Sequence, residues 1–231
     1  MLQIAKTKIR KKILQLREKG FLWVLSKFIR DRVYSHKVHV FLARELTRPH
    51  KVYSRKRSWS FRMLEKKEDL KDFETHYAYK IPLFQNLFDQ GGVPSSVYYD
   101  DALVGYTWYF RDRYLDPFFK IVISPREKEI YQTEGYLLPK YRGTPIVLEG
   151  GKFGLNYFHN LGYVRTTCHV DTENIPILKL HFKLGFEEAG AVLHMRKLLF
   201  FSWVTTETYE GKRYERFGRK RPAAASVAQS D

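Results

Sequence analysis

The chain has 231 residues, of which 44% are hydrophobic and 16% aromatic, enough for one core-forming domain with an appendage or for two small domains. Its formal net charge is +16, but residues 1–62 hold 18 Lys and Arg against 3 Asp and Glu, a net +15, which leaves +1 for the rest. The single cysteine, Cys168, excludes an internal disulfide and a zinc site of several thiolates, so a reducing compartment is expected.

The N-terminal residues 1–33 read as two basic amphipathic helices that are separated at Gly20. No apolar run here approaches the ~20 residues that a membrane span needs, and the run 21–25 is too short for the core of a signal peptide. The pattern is typical of helices that lie in a membrane interface. The alternative is a helical hairpin packed on the domain. Nucleic-acid contact is not favoured, because the aromatic residues fall mostly on the apolar side.

The next residues separate this segment from a folded domain. The alternation at Val38 and Val40 predicts a short strand, and the basic stretch 49–57 predicts a linker. From residue 58 the pattern predicts an α/β domain with strands and helices in mixed order. The predicted strands cover 59–63, 97–99, 103–110, 119–123, 129–138, 163–170 and 192–203, and the predicted helices cover 65–79, 81–89, 148–161 and 175–184.

The most informative segment is 139–145, which reads PKYRGTP and opens a predicted helix. A basic, glycine-containing turn at a helix start is typical of phosphate binding, because free backbone N–H groups and the helix dipole point at the anion. Gly143 would let the backbone approach that anion closely, and Lys140 and Arg142 add positive charge. The alternative is an ordinary strand-to-helix turn with solvated basic residues.

A second motif follows about thirty residues later, where residues 174–186 read NIPILKLHFKLGF. Together the two segments resemble the GNAT superfamily of CoA-dependent N-acyltransferases, whose signature joins a Q/R-x-x-G-x-G/A loop to an N-x-x-A-x-x-L-Y-x-K-x-G-F helix. The resemblance covers roughly residues 58–203. The chain departs from the signature at three positions: Lys140 replaces Gln or Arg, Pro145 replaces the second glycine, and His181 replaces a frequent tyrosine.

The resemblance implies a GNAT-like fold, with a mixed, mostly antiparallel sheet flanked by helices, and acetyl-CoA or another acyl-CoA as co-substrate. It implies that backbone groups near Leu137 and Leu138 hold the thioester and the pantetheine arm. Asn174 would be a ligand to the cofactor, the N-cap of its helix, or both. The pyrophosphate would lie on the loop residues Lys140, Tyr141, Arg142, Gly143 and Thr144.

The resemblance also points to a general base on the strand before the loop. Glu134 occupies such a position, Glu129 is a farther option, and His169 on the next strand is a third; the alternative for Glu134 is a solvated carboxylate at a strand edge. His181 would protonate the departing thiolate, or it is simply a satisfied helix histidine. A Cys168 nucleophile lacks a supporting local signature, and no metal site is apparent in the sequence.

The sequence thus predicts a basic amphipathic helical extension and linker over 1–56, a GNAT-like acyltransferase domain over 57–205, and a basic, disordered tail over 206–231. The expected activity is transfer of an acyl group from CoA to a primary amine, such as an envelope amino sugar or an aminolipid. The expected location is the cytoplasm, with peripheral association at the inner face of the membrane through residues 1–33. The rival hypotheses are a non-catalytic module that binds a membrane or a partner through the extension, and an RNA-associated acyltransferase.

Overall fold

The computed structural model describes residues 34–52, 58–117, 119–199 and 201–217. The predicted helices of residues 1–33 and the end of the tail, 218–231, lie outside these residues. Within the described ranges, no helix combines the length and the apolar character needed to cross a membrane.

The described chain contains ten strands. They are β1 (Tyr34–Glu45), β2 (Trp59–Met63), β3 (Val93–Tyr99), β4 (Ala102–Phe110), β5 (Tyr114–Leu115), β6 (Val122–Ile123), β7 (Glu129–Leu137), β8 (Arg165–Asp171), β9 (Glu187–Leu198) and β10 (Phe201–Thr208). Eight of them form one sheet in the order β10-β9-β1-β8-β7-β4-β3-β2, and β5 pairs with β6 in a small hairpin.

Four α-helices and four short 3₁₀ segments complete the described fold. The helices are α1 (Glu74–Tyr77), α2 (Ile81–Asp89), α3 (Ile146–Asn160) and α4 (Ile175–Lys183). The 3₁₀ segments are Lys67–Phe73, Ala78–Lys80, Pro139–Tyr141 and Glu215–Phe217. Within the large sheet, β7 and β8 are parallel and the other neighbouring strands are antiparallel. The predicted fold class, a mixed and mostly antiparallel sheet flanked by helices, is confirmed.

Helices cover both faces of the sheet. The neighbouring residues Ile130 and Tyr131 point to opposite faces, as consecutive strand residues must, and both are almost fully buried. Ile130 packs in a cluster with Leu155 of α3 and Leu178 of α4. Tyr131 packs in a separate cluster that includes Phe84 of α2 and two residues of the 3₁₀ segment Lys67–Phe73. We call these the α3–α4 face and the α1–α2 face.

The strand β1 corrects the sequence-based division of the chain. The sequence pattern places residues 34–45 in the extension, but β1 lies inside the sheet, between β8 and β9. His39 pairs with Asp171 on one side, and Val38 pairs with His194 on the other. Val40 is fully buried in the cluster on the α3–α4 face. The predicted short strand at Val38 and Val40 is therefore present, longer than expected, and part of the sheet.

The C-terminal segment also differs from the predicted disordered tail of 206–231. β10 continues to Thr208, and Tyr209 is 9% exposed. The carboxylate of Glu188 accepts hydrogen bonds from the backbone N–H groups of Arg213, Tyr214 and Glu215. One side chain thus satisfies three backbone donors, which fixes the chain at the start of the 3₁₀ segment Glu215–Phe217.

Candidate active site

A gap opens in the sheet between the parallel strands β7 and β8. Their described pairing begins at Glu129 with Arg165 and ends at Gln132 with Cys168. Beyond that point β7 continues along β4 as far as Leu137, while β8 continues along β1. The carboxyl ends of the two strands therefore separate. A strand edge in such a gap can hydrogen-bond an extended ligand, as in other cases of strand addition.

A β-bulge lies on the β7 side of the gap. Tyr106 pairs with Tyr136 and Trp108 with Thr133, so β7 carries one more residue than β4 between these pairs. Glu134 lies within the bulge at a φ of 41°, in the left-handed region. Bulges of this kind redirect a side chain relative to the strand's regular alternation.

The bulge directs Glu134 into a group of tyrosines and one lysine. Its Oε1 accepts a hydrogen bond from Lys80 Nζ at 2.6 Å and lies 3.3 Å from the hydroxyl of Tyr106. The Glu134 side chain is 16% exposed and that of Lys80 21%. Burial, followed by the Glu134 charge, raises the pKa of Tyr106 far above its usual value, so this phenol stays neutral. The predicted base is therefore held in an ion pair.

His181 lies on the other side of the gap and is buried. Its Nδ1 donates to the backbone oxygen of Ile177 at 2.9 Å, and its Nε2 lies 3.3 Å from the side-chain nitrogen of Gln132. Burial lowers the pKa of His181, which keeps the ring neutral at pH 7. In this tautomer Nε2 accepts a hydrogen bond. The geometry favours His181 as an acceptor, and its role as a proton donor to CoA stays a prediction.

Glu134 and His181 face the gap from opposite sides of the sheet. Gln132 reaches His181 on α4, so it lies on the α3–α4 face. Regular alternation would place Glu134 on that same face, but it contacts Lys80 and Tyr106 on the α1–α2 face. A ligand in the gap would therefore meet the carboxylate on one side and the imidazole on the other.

The predicted phosphate loop follows β7 directly. Gly143 is exposed at a φ of 77°, and a Cβ atom built there meets no heavy atom of the described chain within 4 Å. Lys140 and Arg142 are also exposed. The hydroxyl of Thr144 donates to the backbone oxygen of Tyr141 at 2.6 Å, which closes the turn before α3. The loop thus places an exposed glycine beside two cations. The backbone N–H groups of Tyr141, Arg142 and Thr144 already donate to backbone oxygens within the turn, so a phosphate that used them would have to displace these contacts.

Two of the backbone groups predicted to hold the thioester arm have internal partners. The N–H of Leu138 donates to the oxygen of Val104 at 2.9 Å. The oxygen of Leu137 accepts from Arg142 Nε at 3.1 Å. A ligand that used the Leu137 oxygen would have to displace this exposed side chain.

Asn174 is the N-cap residue of α4, as one of its two predicted roles requires. Its backbone oxygen accepts from the N–H groups of Ile177 and Leu178. Its exposed side chain makes no capping hydrogen bond within the described chain. The N-cap position is therefore confirmed, while its role as a cofactor ligand remains a prediction.

The other candidate catalytic residues, His169, Glu129 and Cys168, lie in surroundings that favour a structural role. His169 is partly buried, and its Nδ1 lies 2.8 Å from the hydroxyl of Tyr131. Burial, then the charge of His39, lowers the pKa of His169 to about 3, so it is a weak base. Glu129 is 9% exposed and accepts a hydrogen bond from the Thr167 hydroxyl. Burial raises the pKa of Cys168 far above its usual value, which keeps it a thiol rather than a nucleophilic thiolate.

A pocket of about 440 Å³ lies beside the loop on its β2–β3 side. Its walls are mainly aromatic and apolar, with Lys140 on the rim, and the rings of Tyr99 and Tyr141 are 5.1 Å apart. Two such rings can stack on a planar group held next to a phosphate. The lining residues are Trp59, Tyr99, Lys140, Tyr141, Thr144, Pro145 and Ile146.

Sequence reasoning missed Lys80 and Gln132, which are the partners of the two predicted catalytic residues. Lys80 ends a 3₁₀ segment 54 residues before Glu134, and no local pattern marks it as a site residue. Gln132 had a weak signal, since it is a polar residue at a position in phase with the buried Ile130.

The comparisons with known proteins bear on the fold. No family model matches the chain, and no curated protein matches its sequence. A functionally unknown conserved protein from Staphylococcus epidermidis is similar in structure with a TM-score of 0.50 at 15% identity, over 79% of this chain and 69% of that one.

Two further solved structures carry descriptions of a function. A GCN5-related N-acetyltransferase from Kribbella flavida matches with a TM-score of 0.48 at 12% identity, over 76% of this chain and 63% of that one. A putative acetyltransferase from Salmonella typhimurium, solved with its cofactor acetyl-CoA, matches with a TM-score of 0.42 at 13% identity, over 62% of this chain and 94% of that one. The similarity at these identities concerns the fold, and the solved structures that this chain is similar to include GCN5-related N-acetyltransferases.

Proposed function

We propose that the chain is an acyl-CoA-dependent N-acyltransferase that transfers an acyl group, normally acetyl, to a primary amine by direct attack. The observation that carries the proposal is the gap between β7 and β8, which leads into a basic, glycine-containing loop at the start of α3. The sequence motif at 174–186 supports it independently, because its helix α4 borders the same gap.

The acyl-CoA would bind to both the basic loop and the gap between β7 and β8. The pyrophosphate would lie at Gly143, where the backbone is open, with Lys140 and Arg142 as counter-charges. The pantetheine arm would run along the free edge of β7 inside the gap. Its thioester would then lie near the bulge at Glu134.

The amine would approach from the α1–α2 face, where Glu134 is the nearest carboxylate of β7 to the gap. Glu134 would accept the proton that the amine loses when it bonds to the thioester carbon. The thiol would leave on the side of His181 and Gln132. Glu134 would thus act on the attacking amine on one face of the sheet, and His181 and Gln132 would lie beside the leaving thiol on the other face.

Membrane association and an envelope acceptor, such as an amino sugar or an aminolipid, belong to the same proposal but rest on residues 1–33. Co-sedimentation with anionic liposomes, with and without these residues, tests them. The truncated chain must begin before β1, since β1 belongs to the sheet. Equal binding by both chains would show that the extension is not the membrane-binding segment.

Cofactor binding is tested by thermal unfolding with and without excess acetyl-CoA. A ligand at about a hundred times its dissociation constant stabilises the native state by roughly 2.7 kcal/mol. The variant Gly143→Asp should lose this stabilisation through charge repulsion and blocked backbone approach. Gly162→Asp is the matched control, because Gly162 is also exposed with a similar φ of 85° and open space, but lies at the other end of α3.

The two variants separate the outcomes. Stabilisation of the wild type and of Gly162→Asp, but not of Gly143→Asp, would support the loop as the phosphate site. Equal stabilisation of all three proteins would mean that the cofactor binds away from the loop. If neither acetyl-CoA nor a long-chain acyl-CoA stabilises the wild type, the proposal is contradicted. Binding without release of free CoA thiol in the presence of amines would favour the non-catalytic alternative.

A further inference from the structure

Lys80 is held in an environment that is unusual for a lysine. It ends the 3₁₀ segment before α2, and its side chain is 21% exposed. Its Nζ lies 2.6 Å from Glu134 Oε1 and 2.8 Å from the hydroxyl of Tyr106. The same nitrogen is 5.5 Å from the ring centre of Tyr106 and 5.4 Å from that of Tyr136, within the range of cation–π attraction.

This primary amine lies close to the cofactor loop. The guanidinium of Arg142 is 5.2 Å from the ring centre of Tyr136, so this ring contacts both Lys80 and the loop. Arg142 also bonds the backbone oxygen of Leu137, at the end of β7. The ε-amine of Lys80 therefore lies at the bulge, where the reacting end of an acyl-CoA in the gap would be.

We propose that Lys80 is itself an acyl acceptor, so that the chain acylates its own ε-amine at this position. The inference rests on the proposed function, since the acyl donor is the same acyl-CoA. Lys80 would then be a modification site of the chain. Its role as an acceptor would explain why the predicted base, Glu134, is already in contact with a primary amine.

The transfer is balanced within the site. The Lys80 ammonium gives one proton to Glu134, and the nitrogen lone pair attacks the thioester carbon. The new C–N bond forms as the C–S bond breaks, and the thiolate leaves with the electron pair and takes up a proton. The second amine proton passes through solvent to the thiolate, so the products are an amide on Lys80, free CoA thiol and one proton on Glu134, with no change of oxidation state.

Acylation would change the electrostatics of the site. The amide nitrogen carries no positive charge, so the ion pair with Glu134 would be lost. Glu134 would then keep only the neutral hydroxyl of Tyr106 as a hydrogen-bond donor among the contacts described for it. A free carboxylate on the α1–α2 face is better able to receive the ammonium of a separate acceptor.

The test follows the mass of the full chain during incubation with acetyl-CoA and then maps the modified peptide. We expect one acetyl group per chain, located on Lys80. Lys80→Arg keeps the positive charge and should not be acetylated at this position. Glu134→Gln should slow the modification by about a hundredfold or more, the contribution expected from a general base.

Lys67→Arg is the matched control. Lys67 Nζ lies at the same distance of 2.6 Å from a carboxylate, that of Asp89, but the pair is half exposed and at the far end of α2. This variant should be acetylated on Lys80 as the wild type is. Gly143→Asp should prevent the modification, because it removes the proposed cofactor site.

Three results would overturn the inference, and they differ in what they mean for the proposed function. If acetyl-CoA stabilises the chain and Lys80 stays unmodified, the inference is wrong and the proposed function stands. If Lys80 is acetylated equally in Gly143→Asp, or no faster than exposed lysines, the modification is chemical and not catalysed. If neither acetyl-CoA nor a long-chain acyl-CoA binds or reacts, both proposals fail.

Discussion

The buried histidine His39 should make the stability of the fold depend on pH. It lies on β1 at 9% exposure, with its ring against those of His169 and Phe119. Neither ring nitrogen has a hydrogen-bond partner among the described residues, and the nearest carboxylate, Asp171, is 4.0 Å away. Burial is the main cause that lowers the pKa of His39 to about 4; Asp171 opposes the shift and Lys37 adds to it.

The direction of the effect follows from proton uptake. The unfolded chain protonates this histidine near pH 6.5, whereas the native state does so only near pH 4. The contribution of His39 is therefore complete above pH 6.5 and is lost as the pH falls towards 4. Near pH 5 the loss for this one residue is about 2 kcal/mol, since each unit of pH below 6.5 costs about 1.4 kcal/mol.

Urea unfolding near pH 8 and near pH 5 measures this loss. We expect the difference in unfolding free energy between the two pH values to be about 2 kcal/mol smaller in His39→Phe than in the wild type. His76→Gln, at an exposed histidine, is the control and should keep the wild-type difference. If His39→Phe loses as much stability as the wild type on acidification, the ring is hydrated or paired and the reasoning is wrong.

Three further substitutions test the packing around the site by urea unfolding near neutral pH. Gly154→Ala should cost about 1–3 kcal/mol, because its Cβ would lie 2.5 Å from the hydroxyl of the buried Tyr109; an unchanged stability would mean that this ring can move. Gln132→Leu should cost about 1–3 kcal/mol by leaving Nε2 of buried His181 without its donor, and a neutral result would indicate a water there. Gly185→Ala, at a φ of 83° after α4, should lower the unfolding free energy by about 1–2 kcal/mol, because a residue with a Cβ is strained in the left-handed region. An unchanged stability would mean that the end of α4 can adopt another backbone conformation.

Local sequence signals predicted the elements that depend on local chemistry. The alternation of Trp59, Phe61 and Met63 gave β2 with its observed bounds. α3 begins at Ile146, two residues earlier than predicted, because Pro145 already has helical angles in front of it. The predicted helix at 65–79 is instead two 3₁₀ segments around the short α1, which bury Leu70, Phe73 and Tyr77 and leave Tyr79 exposed.

The position of β1 had no local signal. Its alternation predicts a strand, but its place in the sheet depends on β8 and β9, whose paired residues lie more than a hundred positions away in the chain. A sequence pattern specifies which face of a strand is buried and not which strands lie beside it.

The same limit applies to the candidate site. The loop at 140–144 was predicted because glycine and basic residues before a helix have a direct physical meaning. The bulge that turns Glu134 to the α1–α2 face arises because β7 has one more residue than β4 between two paired positions. The regular alternation of buried and exposed residues in the sequence does not predict it. Lys80 reaches Glu134 only through tertiary packing, so a single sequence cannot indicate the pair.

The location of β1 constrains the order in which the chain can fold during synthesis. Among the described strands, β9 and β10 connect to the rest of the sheet through β1 alone, yet β1 is made early and its two partners are made late. Until β8 and β9 emerge, β1 would present two unpaired edges, which favours slow folding and association with other chains. Expression of a fragment that starts at residue 57, the boundary the sequence suggests, would leave β8 with an open edge and the β9–β10 hairpin without a neighbour. The smallest unit able to fold therefore includes residues from both ends of the described chain.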